Sequence, residues 1–228
     1  MKTFYLQAVS QFMCNSTVDN RTLKDQLKQK FSLTSRRTSR VTLLALLGGM
    51  PLKADLTSGV YVTSSFSSPS NMSELELQVF QHRTPKPFHF INSINNAVPF
   101  YIAQAQQLSG PTIFTASDRA NWGQIILFAI ADLQLGIIKQ ALIGWCHEAS
   151  LPMADQREGS HWLLLSTHPE NAIAKLTIID SVNSYQVQKQ GYFYQDIAHL
   201  IDELEHKTTQ QFFINLMLNK IIVIDLHR

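Results

Sequence analysis

Residues 110–138 read GPTIFTASDRANWGQIILFAIADLQLGII, and three kinds of local structure follow one another within them. Gly110-Pro111 is a breaker pair. Thr112 to Ser117 is rich in β-branched and aromatic residues and reads as a strand. Ala120 to Ile138 reads as a helix that is apolar almost all round, with an unbroken apolar run from Ile125 to Ala131. A helix without a wet face is expected inside a core.

Working outward, the same alternation continues on both sides. Upstream, Phe4 to Phe12 reads as a first strand, and Leu23 to Phe31 as a short polar helix with Leu23, Leu27 and Phe31 on one face. Ser39 is the expected N-cap of a helix from Val41 to Leu47, with Gly48-Gly49 as its end. Gly59 to Thr63 is a strand, followed by a Ser-rich turn from Ser64 to Asn71 and a helix through Phe80, and Asn95 to Gln107 has helical spacing. Downstream, Ala141 to Trp145 and His161 to Ser166 read as strands. Ile197, Leu200, Ile201 and Leu204 share a helical face, and Ile221 to Ile224 closes the chain as a strand. The acidic run Asp196, Asp202, Glu203 and Glu205 is expected on the wet side of that last helix. Strand–helix–strand alternation around a buried helix is the pattern of an α/β layered domain. No internal repeat or long linker is visible; residues 1–180 are expected to form the main domain, with 181–228 a C-terminal extension packed on it.

Composition narrows the function classes. Of 228 residues, 45% are hydrophobic and 16% charged, enough for a substantial core with a mildly polar surface. A net charge of +2 argues against a nucleic-acid surface, and the one basic cluster, Arg36-Arg37-Thr38-Ser39-Arg40, reads as a solvated helix start. Cys14 and Cys146 form no disulfide framework and suit a reducing cytoplasm. No stretch has the length of a membrane span, and the start lacks the apolar core of a signal peptide.

Catalytic motifs are missing. There is no Walker A loop, GxGxxG, GxSxG or HExxH, and no Cys/His spacing suggests a metal; neither metal nor cofactor is expected. Cys146-His147 is not a catalytic pair, because adjacent strand residues point to opposite faces. Ser117 stands where strand gives way to helix, a place that can present a nucleophile. Its structural reading, shared with Asp118, is an N-cap.

From about Arg36 to Thr177 the chain resembles the N-terminal half of the β-ketoacyl synthases, thiolase-fold enzymes of fatty-acid and polyketide synthesis. The ordered series carries the resemblance: Arg36 to Arg40 with Leu44-Ala45-Leu46, the strand Gly59-Val60-Tyr61-Val62, Phe88 to Gly110, Gly110-Pro111 before Thr115-Ala116, the following apolar helix and strand, Glu148-Ala149, and Glu158-Gly159-Ser160 with Trp162 to Leu165. The resemblance implies half of a thiolase-like α/β fold, a mixed sheet with a buried central helix. Where the family has its cysteine nucleophile, this chain has Ser117, or Arg119 by an ungapped count from Gly110-Pro111; neither supplies a thiolate. The family's two catalytic histidines belong to a half that this chain is too short to contain.

The resemblance further implies pairing. Ketosynthases dimerise by joining the nucleophile strand edge to edge, and here Thr112, Ile113, Phe114, Thr115, Ala116 and Ser117 would form that edge. Such pairing suits an apolar strand edge, which needs a cover. Silent partners of this kind, the chain-length factors, heterodimerise with active ketosynthases and line the acyl tunnel. The chain resembles a shortened one of the aryl polyene type. Phe66, Met72, Leu75, Phe88 and Phe90 fall in the regions that set tunnel length in the family. The resulting expectation is a cytoplasmic, non-catalytic subunit partnered by a ketosynthase and serving an acyl carrier protein. Two rival readings stand beside it: a serine acyltransferase or thioesterase using Ser117, and a free-standing acyl or acyl-carrier binding module to which Arg36, Arg37 and Arg40 would attract an acidic carrier.

Overall fold

The computed structural model describes residues 3–82, 84, 87–118, 121–180, 193–206, 210–216 and 220–226. In chain order its elements are β1 (Phe4–Asn15), α1 (Asn20–Phe31), α2 (Arg40–Gly49), β2 (Gly59–Ser64), α3 (Pro69–His82), α4 (Pro87–Ser93), α5 (Ala97–Gln106), β3 (Thr112–Ala116), α6 (Gln124–Leu135), β4 (Gln140–His147), β5 (Arg157–Ser166), β6 (Ala174–Asp180), α7 (Phe193–His206), β7 (Gln211–Asn215) and β8 (Lys220–Leu226).

The strands form one mixed sheet in the order β3-β2-β4-β5-β1-β6-β8-β7. β2 lies parallel to β3 and to β4, and every other pairing is antiparallel. The alternation of side chains gives the sheet two apolar faces. One carries Leu142, Cys146, Trp162 and Leu164 against α1, α2 and α5; the other carries Ile143, Trp145, Leu163 and Leu165 against α6 and α7. Cys146 therefore lies on the α2 face, where burial pushes its thiol pKa up. Strands covered on both sides read as continuous apolar runs, as β4 and β5 do.

Three expectations are refined. α6 is four residues later at its start and three shorter at its end than the apolar run suggested, and its burial covers only the sheet-facing side: Ile125, Ile126, Ala129, Ile130 and Leu133 are buried, while Phe128 is 47% and Leu135 75% exposed. α2 ends at Gly49 as expected, with Gly48 and Gly49 forming its last turn, and it crosses the Trp162 indole so closely that a side chain at Gly49 would meet the ring at 3.1 Å. Ser39 is the N-cap residue of α2 as expected, but its side chain makes no capping bond; its hydroxyl pairs with Thr42 at 2.8 Å, and the Val41 amide goes to Glu148 at 2.9 Å. Arg40 is not solvated. It forms an ion pair with the buried Glu158 and donates to the carbonyls of Ser16 and Val18 at 3.1 and 2.5 Å. A carboxylate already buried at the end of the sheet makes this the favourable place for the guanidinium.

β6, β7 and α4 have no counterpart in the sequence reading. β6 pairs with β1 and β8, and α7 packs on β1, β4 and β5, so the C-terminal elements continue the same sheet. Ile197, Leu200, Ile201 and Leu204 of α7 are all buried. Among the described residues no helix is long and apolar enough to cross a membrane.

Candidate functional site

The parallel strands β2 and β4 and their neighbour β3 end on the same side of the sheet, where loops gather as they do in open α/β sheets. Three features meet there: the open edge at β3, the turn holding Ser117, and a pair of helices, α3 and α4, that stand off the sheet.

β3 is the terminal strand. Thr112 to Ala116 pair with Val60 to Ser64 of β2, and among the described residues no strand pairs with the other edge. Ile113 packs toward the α6 side and Phe114 toward the α2 side, both half-buried. A row of unpaired peptide groups flanked by half-buried apolar side chains is a template for another strand.

Ser117 follows directly. It is buried, its amide donates to the Ser64 carbonyl at 3.0 Å, and its hydroxyl oxygen accepts from Thr63. Thr63 also donates to the Thr115 carbonyl at 2.9 Å, so one hydroxyl proton is shared between two acceptors. A serine nucleophile needs a neighbour that takes its proton. Thr63 is a donor here, and among the described residues it is the hydroxyl's one hydrogen-bond partner. The N-cap expectation is also replaced. The Asp118 carboxylate accepts from the Asn121 amide at 3.2 Å, closing a turn, while α6 begins after Gly123 without a side-chain cap. Arg119 lies outside the described residues.

The α3–α4 pair is inverted. Its inward polar side chains are Ser68 at 0%, Asn71 at 8%, Gln78 and Asn92; its outward ones include Leu77, Val79, Phe80 at 85% and Phe90 at 58% exposure. Polar stitches replace an apolar contact. Ser67 donates to the Ser93 carbonyl at 3.1 Å, Asn71 to the His89 carbonyl at 2.7 Å, and Asn92 to the Arg37 carbonyl at 2.6 Å. The Arg37 guanidinium sits 3.9 Å above the centre of the Phe88 ring. Of the five residues named for tunnel length, Phe66 lies exposed in the loop after β2, Met72 and the half-buried Leu75 are on α3, and Phe88 and Phe90 are on α4. Four of the five therefore belong to the α3–α4 pair and one to the loop before it, and all but Leu75 are exposed.

Glu148 anchors this layer, and sequence reasoning assigned it no role. The side chain is 3% exposed at the end of β4. Oε2 accepts from the Val41 amide and from the Ser68 hydroxyl, both at 2.9 Å, and Oε1 accepts from the Ser70 amide at 2.8 Å. Its role arises where two helix starts converge on one strand end, for which no local sequence signal exists. Nearby, burial raises the Glu158 pKa against the opposing pull of Arg40, and burial with the Glu158 charge raises Cys14 to about 11.

Elsewhere the structure offers little chemistry. Among the described residues no three His, Cys, Asp or Glu groups stand close enough to hold a metal ion. A cleft of about 410 Å³ lies at the opposite end of the strands, lined by Gln7, Lys53, Asp55, Gln140, His168 and Glu170 among others. Its amides satisfy one another: Gln140 donates to Gln7 at 2.8 Å and accepts from the Asp55 amide at 2.9 Å.

Compared with protein-family models the sequence matches none, and it matches no curated protein. Solved structures do match in fold. A structure of the ketosynthase ApeO in complex with its chain length factor ApeC from Xenorhabdus doucetiae contains a similar chain at 13% identity and TM-score 0.62, aligned over 98% of this chain and 99% of that one. The complex of AntDE with AntF, a type II polyketide synthase acyl-carrier protein with its ketosynthase, matches at 12% identity and TM-score 0.65 over 99% of each chain. Ketosynthase twelve of the bacillaene polyketide synthase of Bacillus amyloliquefaciens matches at 14% identity and TM-score 0.53, over 90% of this chain but 50% of that one. This chain therefore has the thiolase-like fold of ketosynthases and chain length factors, at the length of one half of a full ketosynthase.

Proposed function

We propose that the chain is a non-catalytic, chain-length-factor-like subunit that heterodimerises with a β-ketoacyl-acyl-carrier-protein synthase and completes its acyl tunnel in polyketide synthesis, of the aryl polyene type. The observation that carries this reading is the open β3 edge standing beside an inverted helix layer. A chain that turns Leu77, Phe80 and Phe90 outward and Asn71 and Asn92 inward presents a surface suited to a protein partner rather than to water. End-to-end likeness in fold to chains from ketosynthase complexes supports the kind of partner.

In this reading β3 pairs with the matching strand of the ketosynthase, and the α3–α4 layer lies against it. Residues Thr112 to Ser117 form the seam. Phe66, Met72, Leu75, Phe88 and Phe90 limit the space left for a growing acyl chain, because a ring in a packed tunnel blocks it by volume. Ser117 fills the nucleophile's place without its chemistry, held as an acceptor by Thr63. Residues 1–180 make the half-fold and 181–228 extend it. An acyl carrier protein delivers substrate to the assembled pair, and no cofactor takes part.

The test is copurification from the native source with mass spectrometry of what elutes with the chain. A β-ketoacyl synthase in equimolar amount is the expected result, lost when Phe80→Asp and Phe90→Asp are combined. If no ketosynthase co-elutes, or the double variant holds it unchanged, the reading is wrong.

A further inference from the structure

Two polar assemblies meet at the end of β4, and they differ in one respect. The first is a closed ring. Arg40, the first residue of α2, pairs with Glu158; Glu158 Oε2 accepts from the Ala149 amide at 3.2 Å; the neighbouring Glu148 accepts from the Val41 amide at 2.9 Å, which returns to Arg40 through one peptide. Every member belongs to the sheet, to α2 or to the turn after β4. The second is an arm leaving that ring: from Glu148 to the Ser68 hydroxyl at 2.9 Å and to the Ser70 amide at 2.8 Å, at the start of α3.

The arm matters because α3 buries little apolar surface, and its other printed tie, Asn71 to the His89 carbonyl, leads to α4 rather than to the sheet. Its described inward stripe is Asn71, Leu75 and Gln78, and only Leu75 is apolar. A carboxylate facing two helix N-termini meets the positive ends of both, and the buried Val41 amide that it satisfies would be costly to leave unpaired. The Glu148 side chain thus does for α3 what apolar burial does for the other helices.

We propose that Glu148 is the positioning residue of the α3–α4 layer: its buried carboxylate fixes where α3 begins, and so fixes the height at which the outward apolar face of the layer stands. This deepens the proposed function, because that face carries the residues assigned to the partner seam and to tunnel length, and the inference about their setting rests on that reading. The anchoring itself does not.

Hydrogen–deuterium exchange of the full chain separates the two. Glu148→Gln keeps the shape but removes one acceptor oxygen, and Ser68→Ala removes one of the arm's two hydrogen bonds, keeping that from the Ser70 amide, while leaving the ring intact. Peptides covering residues 68–82 are expected to exchange about tenfold faster in both variants, as loss of a hydrogen bond to a charged group implies, with β2 and β4 within about twofold of wild type. If Glu148→Gln does not fold, Ser68→Ala decides. Exchange in α3 that does not change in Ser68→Ala, or an increase spread evenly over α2, β4 and α3, overturns the proposal. In the complex with its ketosynthase, Ser68→Ala is expected to shift the product-length distribution at unchanged yield of complex, which a merely structural loss would not do. Should α3 loosen while no ketosynthase binds even the wild-type chain, the anchor stands and the partner reading falls.

Discussion

α3 and α7 each have 14 residues, and they solve opposite problems. α7 turns Ile197, Leu200, Ile201 and Leu204 into the sheet and leaves Asp202 and Glu205 in water. α3 turns Asn71 and Gln78 inward and leaves Leu77, Val79 and Phe80 open. The first pattern is that of a helix whose partner is its own chain. The second makes sense for a helix whose partner is another molecule. Apolar surface left outside and polar groups taken inside cost stability in isolation, so the arrangement is favourable only when something else covers the face. The fold of the first helix is self-sufficient; the surface of the second is a proposal about company.

The sharpest way to break the comparison is to truncate an inward residue of α7. Leu200→Ala, at a fully buried site, is expected to cost about 4 kcal/mol, read as a lower denaturation midpoint at unchanged slope. A value near zero would mean that α7 is not part of the cooperative core.

The α7 side also holds a polar exception, and it predicts a pH dependence. His161 on β5 is buried, neither ring nitrogen finds a hydrogen-bond partner among the described residues, and burial lowers its pKa to about 4, with Asp202 of α7 opposing and His147 adding to the shift. The unfolded chain takes up the proton near the ordinary 6.5 while the folded one resists until about 4. Stability from this group is therefore complete above pH 6.5 and falls by about 3 kcal/mol as pH drops to 4. Urea unfolding at both pH values checks it, with His161→Leu expected to remove a loss of that size; an identical slope in the variant would contradict the assignment.

On α3 the outward residues should behave in the reverse way. Phe80→Asp is expected to leave the isolated chain within about 0.5 kcal/mol of wild type. The same change should weaken association with the ketosynthase severalfold or more, measured by co-elution. The smallest effect is expected at Ser117. Ser117→Ala should leave the turnover of the assembled pair within about twofold. Loss of essentially all turnover would instead revive the serine-enzyme reading.

Much of the fold was legible because it is written in local pattern. β2 and β3 announce themselves as β-branched and aromatic runs and β4 and β5 as apolar ones, and the period of Ile197, Leu200, Ile201 and Leu204 reveals the buried face of α7 without any structure. β6 and β7 did not show, because β6 is broken by Lys175 and β7 has only three apolar residues, Phe212 to Ile214; their strand character comes from pairing with β1 and β8. The apolar character of α6 was plain, but which side is open was not, since a pattern without a polar face carries no direction. At the candidate site, sequence placed the β3 segment, while Arg40 was misjudged because nothing beside it indicates a buried carboxylate 118 residues away.

By itself, then, the sequence determined the kinds of most elements and their order. These depend on neighbours within a few residues, where propensity and periodicity act. Only the tertiary structure decided that β3 is the outermost strand, that α3 and α4 are turned inside out, and that Glu148 gathers the starts of α2 and α3. Those are consequences of which segments meet, and a carboxylate takes its role from the donors that folding brings around it, here from residues 78 and 107 positions away.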